Sequence, residues 1–167
     1  MEKINLKNLE LRIITVPETK LIAKIVSMSF THDETHELWK SFGPLIKGIP
    51  YRVGEDRYSV QIYPDAAFFK NFNPTRIFKK YAAVNVSDYG DLPNGLEKLI
   101  IPKGLYAVFD YIGKPSEASE TFRYIFNQWI PKSKFSLDDR PHIAKMGEKY
   151  KGEQSDSEEE LLIPIIL

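Results

Sequence analysis

The stretch GLYAVFDYIGKPSEASETFRYIFNQWIP, residues 104–131, carries two hydrophobic periods in succession, and the change from one to the other decides the fold. Up to Ile112 the period is two: Tyr106, Val108, Asp110 and Ile112 point one way, Ala107, Phe109 and Tyr111 the other. From Pro115 onward it lengthens, and Ala118, Phe122, Ile125 and Trp129 fall on one face of a helix that Pro131 ends. A strand that is largely apolar on both faces needs cover on both. The helix supplies one cover. The other face is either a second layer of core or the wall of a cavity lined by Tyr and Phe, whose π-faces suit flat or cationic ligands.

The same grammar extends in both directions. Downstream, RPHIAKMGEKY (140–150) and EELLIPII (159–166) read as two strands with a polar segment between them. Upstream, LELRIITV (9–16), KLIAKIVSMSF (20–30), DRYSVQIY (56–63), FKKYAAVNVSDYG (78–90) and the run from Leu96 are extended, with bends at Pro17 and at Pro102 to Gly104. THDETHELWKSFGPLIKGI (31–49) is helical, with Leu38, Phe42, Leu45 and Ile46 as its apolar stripe and Trp39 widening it. Thr31 and Glu34 have capping-box spacing, and Gly43-Pro44 predicts a kink or break. The Pro- and Asn-rich segment 64–77 is too long for a tight hairpin. Strand, helix, strand, strand is thus given twice, over about 9–88 and 96–167. The economical reading is one α+β domain over 1–167, built from two pseudo-symmetric modules with antiparallel sheets, two main helices and a central ligand cleft.

Composition removes several functions. The 167 residues fit one compact domain with a core of their own. Basic and acidic residues balance at 23 each, so no overall field favours a phosphate backbone, and direct nucleic-acid binding is not expected. The absence of cysteine excludes disulfides, thiolate catalysis and thiolate zinc sites. No apolar run reaches membrane-spanning length and the first residues are charged, so the expected location is the cytoplasm, with no membrane contact.

Motifs for common chemistries are missing. His32 and His36 in HDETH have helical spacing for a metal, but Asp33 stands where the glutamate of a zinc-protease motif belongs, and a solvated helix start is the better reading. No nucleophile elbow and no glycine-rich phosphate loop occurs. The pair Lys79-Lys80 reads as a solvated strand edge, and the run Glu158 to Glu160 as a solvated approach to the last strand. No cofactor and no metal is expected.

GLYAVFDYIG, the helix ending YIFNQWIP, LDDRPHI and the closing EEELLIPI, together with ELWKSFGPLI (37–46), resemble the GyrI-like small-molecule-binding domain, which is also the effector domain of AraC-type and MerR-type activators. The resemblance spans nearly the whole chain and implies a cleft between two halves that takes hydrophobic, often cationic, drug-like molecules. In many members the strand after DDRP carries a buried glutamate that attracts the ligand's charge and, in hydrolases of cyclopropane-containing genotoxins, is implicated in catalysis. Here that position falls on Ala144. A methyl group neither binds a cation nor moves a proton, so the resemblance implies neutral ligands or a lost catalytic step.

Three functions are carried forward. The first is a stand-alone small-molecule binder whose cleft is walled by Trp39, Phe109, Tyr111 and Met146, with Tyr63 and Tyr106 as second choices. The second is a hydrolase of strained electrophiles, for which Glu148 or Glu97 would have to supply the carboxylate. The third is a protein-interaction module, with a topoisomerase such as DNA gyrase or a transcription factor as partner.

Overall fold

The computed structural model describes residues 10–167; Leu9, where the first predicted strand begins, lies outside them. Nine strands are formed: β1 (Glu10–Val16), β2 (Thr19–Met28), β3 (Arg52–Ile62), β4 (Phe78–Val86), β5 (Glu97–Ile101), β6 (Gly104–Ile112), β7 (Ser136–Leu137), β8 (His142–Met146) and β9 (Glu158–Ile166). All pairings are antiparallel, in the order β1-β6-β9-β8-β3-β4-β2-β5, with the short β7 alongside β9.

The repeated order is present, as β2, α1 (Thr35–Phe42), β3, β4 and then β6, α2 (Ser119–Tyr124), β8, β9. The halves join through β3 and β8, where Ser59 lies opposite Ala144 and Val60 opposite Ile143. The leading strand of each half crosses over: β1 pairs with β6 of the second half, and β5 with β2 of the first. The described residues of the two halves therefore share one sheet.

Local chemistry accounts for the helix ends. The Thr31–Glu34 capping box does not form, because the helix starts later, at Thr35. Asp33 Oδ1 accepts the Thr35 N–H at 2.8 Å, while Glu34 pairs with His32 at 2.8 Å. At Gly43 the α-helix tightens into a 3₁₀ turn, Gly43–Gly48, since Pro44 has no N–H to continue the ladder. The second helix widens after α2 into a π turn, Ile125–Trp129, and closes with α3 (Ile130–Lys132).

Apolar alternation divides the core. On one side of the sheet α1 covers Ile22, Ala82 and Val84 through Leu38 and Phe42, and α2 with the π turn covers Ala107, Phe109, Leu161 and Ile163 through Ile125. The other side gathers Leu21, Tyr81, Tyr106, Val108 and Leu162 into a single cluster. Leu21 and Tyr106 stand on strands near opposite ends of the sheet order, so the sheet coils until its ends meet. A smaller cluster, Met28, Phe68 and Phe78 with Tyr63 and Phe69, forms where segment 64–77 folds back. No helix among the described residues is long and apolar enough to cross a membrane.

Candidate functional site

Because α1 sits over the first half and α2 over the second, the central strands β3 and β8 form the floor of a trough between them. Cross-strand register sets its rows: Gln61 opposite His142, Ser59 opposite Ala144, Arg57 opposite Met146. On the α1 side the Trp39 indole stands edge-on to Phe42, with centroids 5.8 Å apart, and the Arg57 guanidinium lies 6.0 Å from the Trp39 ring. On the other side Phe122 and Phe126 stack at 6.2 Å.

Two ionisable side chains face this trough from outside its floor. Lys80 is on β4, in step with the helix-side residues Ala82 and Val84; Glu159 is on β9, in step with Leu161 and Ile163. Both are half-buried. Burial pushes the Lys80 ammonium down, against the pull of Asp33 and Glu159. Burial pushes the Glu159 carboxyl up to about 7, Lys80 opposing and Glu153 reinforcing the shift, with no hydrogen bond contributing. The solvated readings of Lys79-Lys80 and of Glu158 to Glu160 are therefore wrong at Lys80 and Glu159. Period two turns one residue of each run inward, onto the helix side. Glu159 stands beside Tyr111, its cross-strand neighbour, and its charge also acts on Tyr150.

The opposite end of the trough is closed by rings. Phe69, from the loop between β3 and β4, stacks on Phe126 at 3.9 Å with planes 9° apart. Tyr63 meets Phe69 and His142 edge-on, each at 4.8 Å. His142 is 6% exposed, and burial alone lowers its imidazole to about 3, so it is neutral near pH 7.

The residues singled out from sequence fall into three groups. Trp39, Ala144 and Met146 border the trough, and Tyr63 belongs to its closed end. Phe109 and Tyr111 are on the helix side but buried beneath the second helix, Phe109 edge-on to Trp129 at 5.3 Å and the Tyr111 hydroxyl donating to the Lys114 carbonyl at 2.6 Å. Tyr106 faces the opposite side of the sheet, fully buried, and donates to the Pro141 carbonyl at 2.8 Å. Glu97 is exposed on β5, and Glu148 is exposed in the turn after β8, since the strand stops at Met146. Neither lies on β3 or β8, the floor of the trough. His142, Phe69 and Phe126 were not among the candidate residues, and Lys80 and Glu159 were read as solvated, although alternation from Ala82 and Leu161 marks both as facing the helix side.

The family model for integron-associated effector binding proteins, Cass2, matches residues 12–165. A comparison with curated protein sequences finds no match. Among solved structures, EcmrR in its DNA complex superposes with a TM-score of 0.71 at 15% identity, over 95% of this chain and 58% of the EcmrR chain. SAV2435 bound to tetraphenylphosphonium superposes with a TM-score of 0.69 at 11% identity, over 94% of both chains. A hydrolase from Listeria innocua gives a TM-score of 0.61 at 13% identity, over 94% of this chain and 92% of that one. The GyrI-like effector-binding fold expected from the sequence is the fold observed.

Proposed function

Since the chain belongs to the family of integron-associated effector binding proteins, we propose that it is a receptor for an aromatic, cationic small molecule held in the trough between α1 and α2. One observation carries the reading: Glu159, a half-buried carboxyl group without a hydrogen bond among the described residues, faces a trough walled by aromatic rings. A half-buried carboxylate that Lys80 only partly compensates is costly, and a bound cation reduces the cost. Ala144 alone argues for neutral ligands, but Glu159 returns a carboxylate to the same face of the sheet from the adjoining strand. Trp39 supplies a π-face, and apolar burial adds roughly 25 cal/mol per Å² of ligand surface removed from water, less the cost of ordering. SAV2435, with the same fold, holds tetraphenylphosphonium, a cation without hydrogen-bonding groups. Titration with tetraphenylphosphonium and with neutral triphenylphosphine oxide tests the proposal. The cation should raise the melting temperature strongly in the wild type and weakly in Glu159→Gln. Equal responses to both compounds, or none, would sink it.

A second reading rests on the same group. A carboxyl titrating at about 7 beside two tyrosines has the affinity for protons that general acid–base chemistry needs near neutrality, and a hydrolase shares this fold. Glu159, in place of Glu148 or Glu97, would then move the proton. Turnover of a cyclopropane-bearing electrophile that disappears in Glu159→Gln would support hydrolysis; an inert wild type removes it.

A further inference from the structure

The closed end of the trough holds an imidazole, 6% exposed, enclosed by aromatic rings. His142 makes no side-chain hydrogen bond among the described residues, yet Tyr63, Phe126 and Phe69 surround it with ring centroids at 4.8, 5.8 and 6.0 Å. An imidazole lined by rings in place of polar side chains keeps its donor and acceptor for another partner. Phe126 lies within the π turn, an irregularity common at functional sites. Phe69, stacked flat upon it, comes from a segment without strand or helix whose Asp65, Lys70 and Asn71 are exposed.

Building on the receptor reading, we propose that this end is a second compartment of the ligand site, in which Phe69 holds the place of a flat aromatic ring. The incoming ring displaces Phe69, stacks on Phe126 and exchanges a hydrogen bond with His142. The ligand class follows from the two ends. One is a planar heteroaromatic ring with a nitrogen, amine or hydroxyl for a neutral imidazole; the other is positive, for Glu159. The row of His142 and the row of Met146 are four strand residues apart, so a molecule reaching both ends spans on the order of 13 Å at about 3.3 Å per residue.

Proflavine, a flat fluorescent cation with a ring nitrogen and two amines, is the probe, titrated at pH 8 into the full chain. Phe69→Ala removes the competing ring and should tighten binding about tenfold, the cost of unstacking at roughly 0.5–1.5 kcal/mol. His142→Phe keeps the ring volume and should weaken proflavine about fivefold, the worth of one hydrogen bond. Tetraphenylphosphonium, which has no such group, should bind His142→Phe as it binds the wild type. Hydrogen exchange on the wild type gives a readout free of mutation. Saturating proflavine should speed exchange of the Phe68 and Lys70 amides, which donate to Asp65 and Ala67 within the displaced loop. Slower exchange there, or an affinity that Phe69→Ala leaves unchanged or weakens, overturns the proposal. If Glu159→Gln alone weakens proflavine, the second compartment fails and the receptor reading stands. If no protein binds either probe, both fall.

Discussion

Ala144 and Glu159 stand on the helix side of neighbouring strands, Ala144 opposite Leu161 and Glu159 two residues before Leu161 on β9. Diagonal neighbours of this kind lie about 7–8 Å apart, within reach of one bound molecule. Glu159 thus places a carboxyl on the helix side of the sheet, within reach of a molecule lying over Ala144.

Glu159→Gln should separate the acid's role in binding from its effect on the fold. Tetraphenylphosphonium affinity is expected to fall at least about tenfold at pH 8, because the amide retains the shape and loses the charge. The melting temperature of the unliganded protein at pH 8 should rise by a few degrees, since the charged carboxylate no longer has to be buried. A variant that binds normally and melts lower would show Glu159 to be an ordinary structural contact.

The same group sets a pH profile for binding. Glu159 titrates at about 7 in the fold, with Lys80, Glu153, Tyr111 and Tyr150 as its charged or titratable surroundings. Cation affinity should climb roughly tenfold between pH 6 and pH 8 and flatten above, with a proton released on binding. Isothermal titration in buffers of different ionisation enthalpy reads that proton directly. Glu159→Gln should give a flat profile with no release.

Much of the architecture was legible because alternation is local. In Ala107, Phe109 and Tyr111, period two put three residues on one face, although the second helix buries Phe109 and Tyr111, which were expected to wall the cleft. The exchange of β1 and β5 between halves was not, since no local pattern says which edge a strand joins. At the site the difficulty was polarity. Lys80 and Glu159 sit in charged runs, and charge suggests solvent, whereas position in the alternation sends one residue of each run inward. Tyr106 shows the converse: an aromatic in the right strand with the wrong parity is core. The segment 64–77 looked like a connection, and only its tertiary position shows that Phe69 meets a ring from the other half.

His142 predicts behaviour in acid. Its imidazole titrates at about 3 in the fold against about 6.5 in the unfolded chain, so the unfolded chain binds the proton first. The associated stability is complete above about pH 6.5 and is lost as pH falls, by up to about 1.4 kcal/mol per unit. Glu159 works the other way: raised from the usual carboxyl range to about 7, it costs stability as pH rises from about 4.5 to 7. The two slopes oppose each other between about pH 4.5 and 6.5. Urea titrations across that window should therefore show Glu159→Gln losing stability steeply on acidification, whereas His142→Phe should gain. Parallel profiles for both variants would contradict the assignments.

The last prediction concerns the support beneath the second half. Arg140 donates Nε to Asp138 at 2.5 Å and Nη2 to the carbonyls of Leu105 and Ile165 at 2.7 and 2.9 Å, and its guanidinium lies 4.8 Å from the Tyr106 ring. It ties β6 to β9 while holding Asp138 below the usual carboxylate range. This approach requires a glycine at 104, where a Cβ would stand 2.1 Å from Arg140 Nη1. Gly104→Ala should force the guanidinium aside and leave the two carbonyls unpaired, costing about 2–4 kcal/mol in urea denaturation. If the clash with Arg140 is the cause, the same substitution made in an Arg140→Ala background should cost less than about 1 kcal/mol, the two changes being strongly coupled. An undiminished penalty in that background would place the strain in the β6 backbone and remove Arg140 from the explanation.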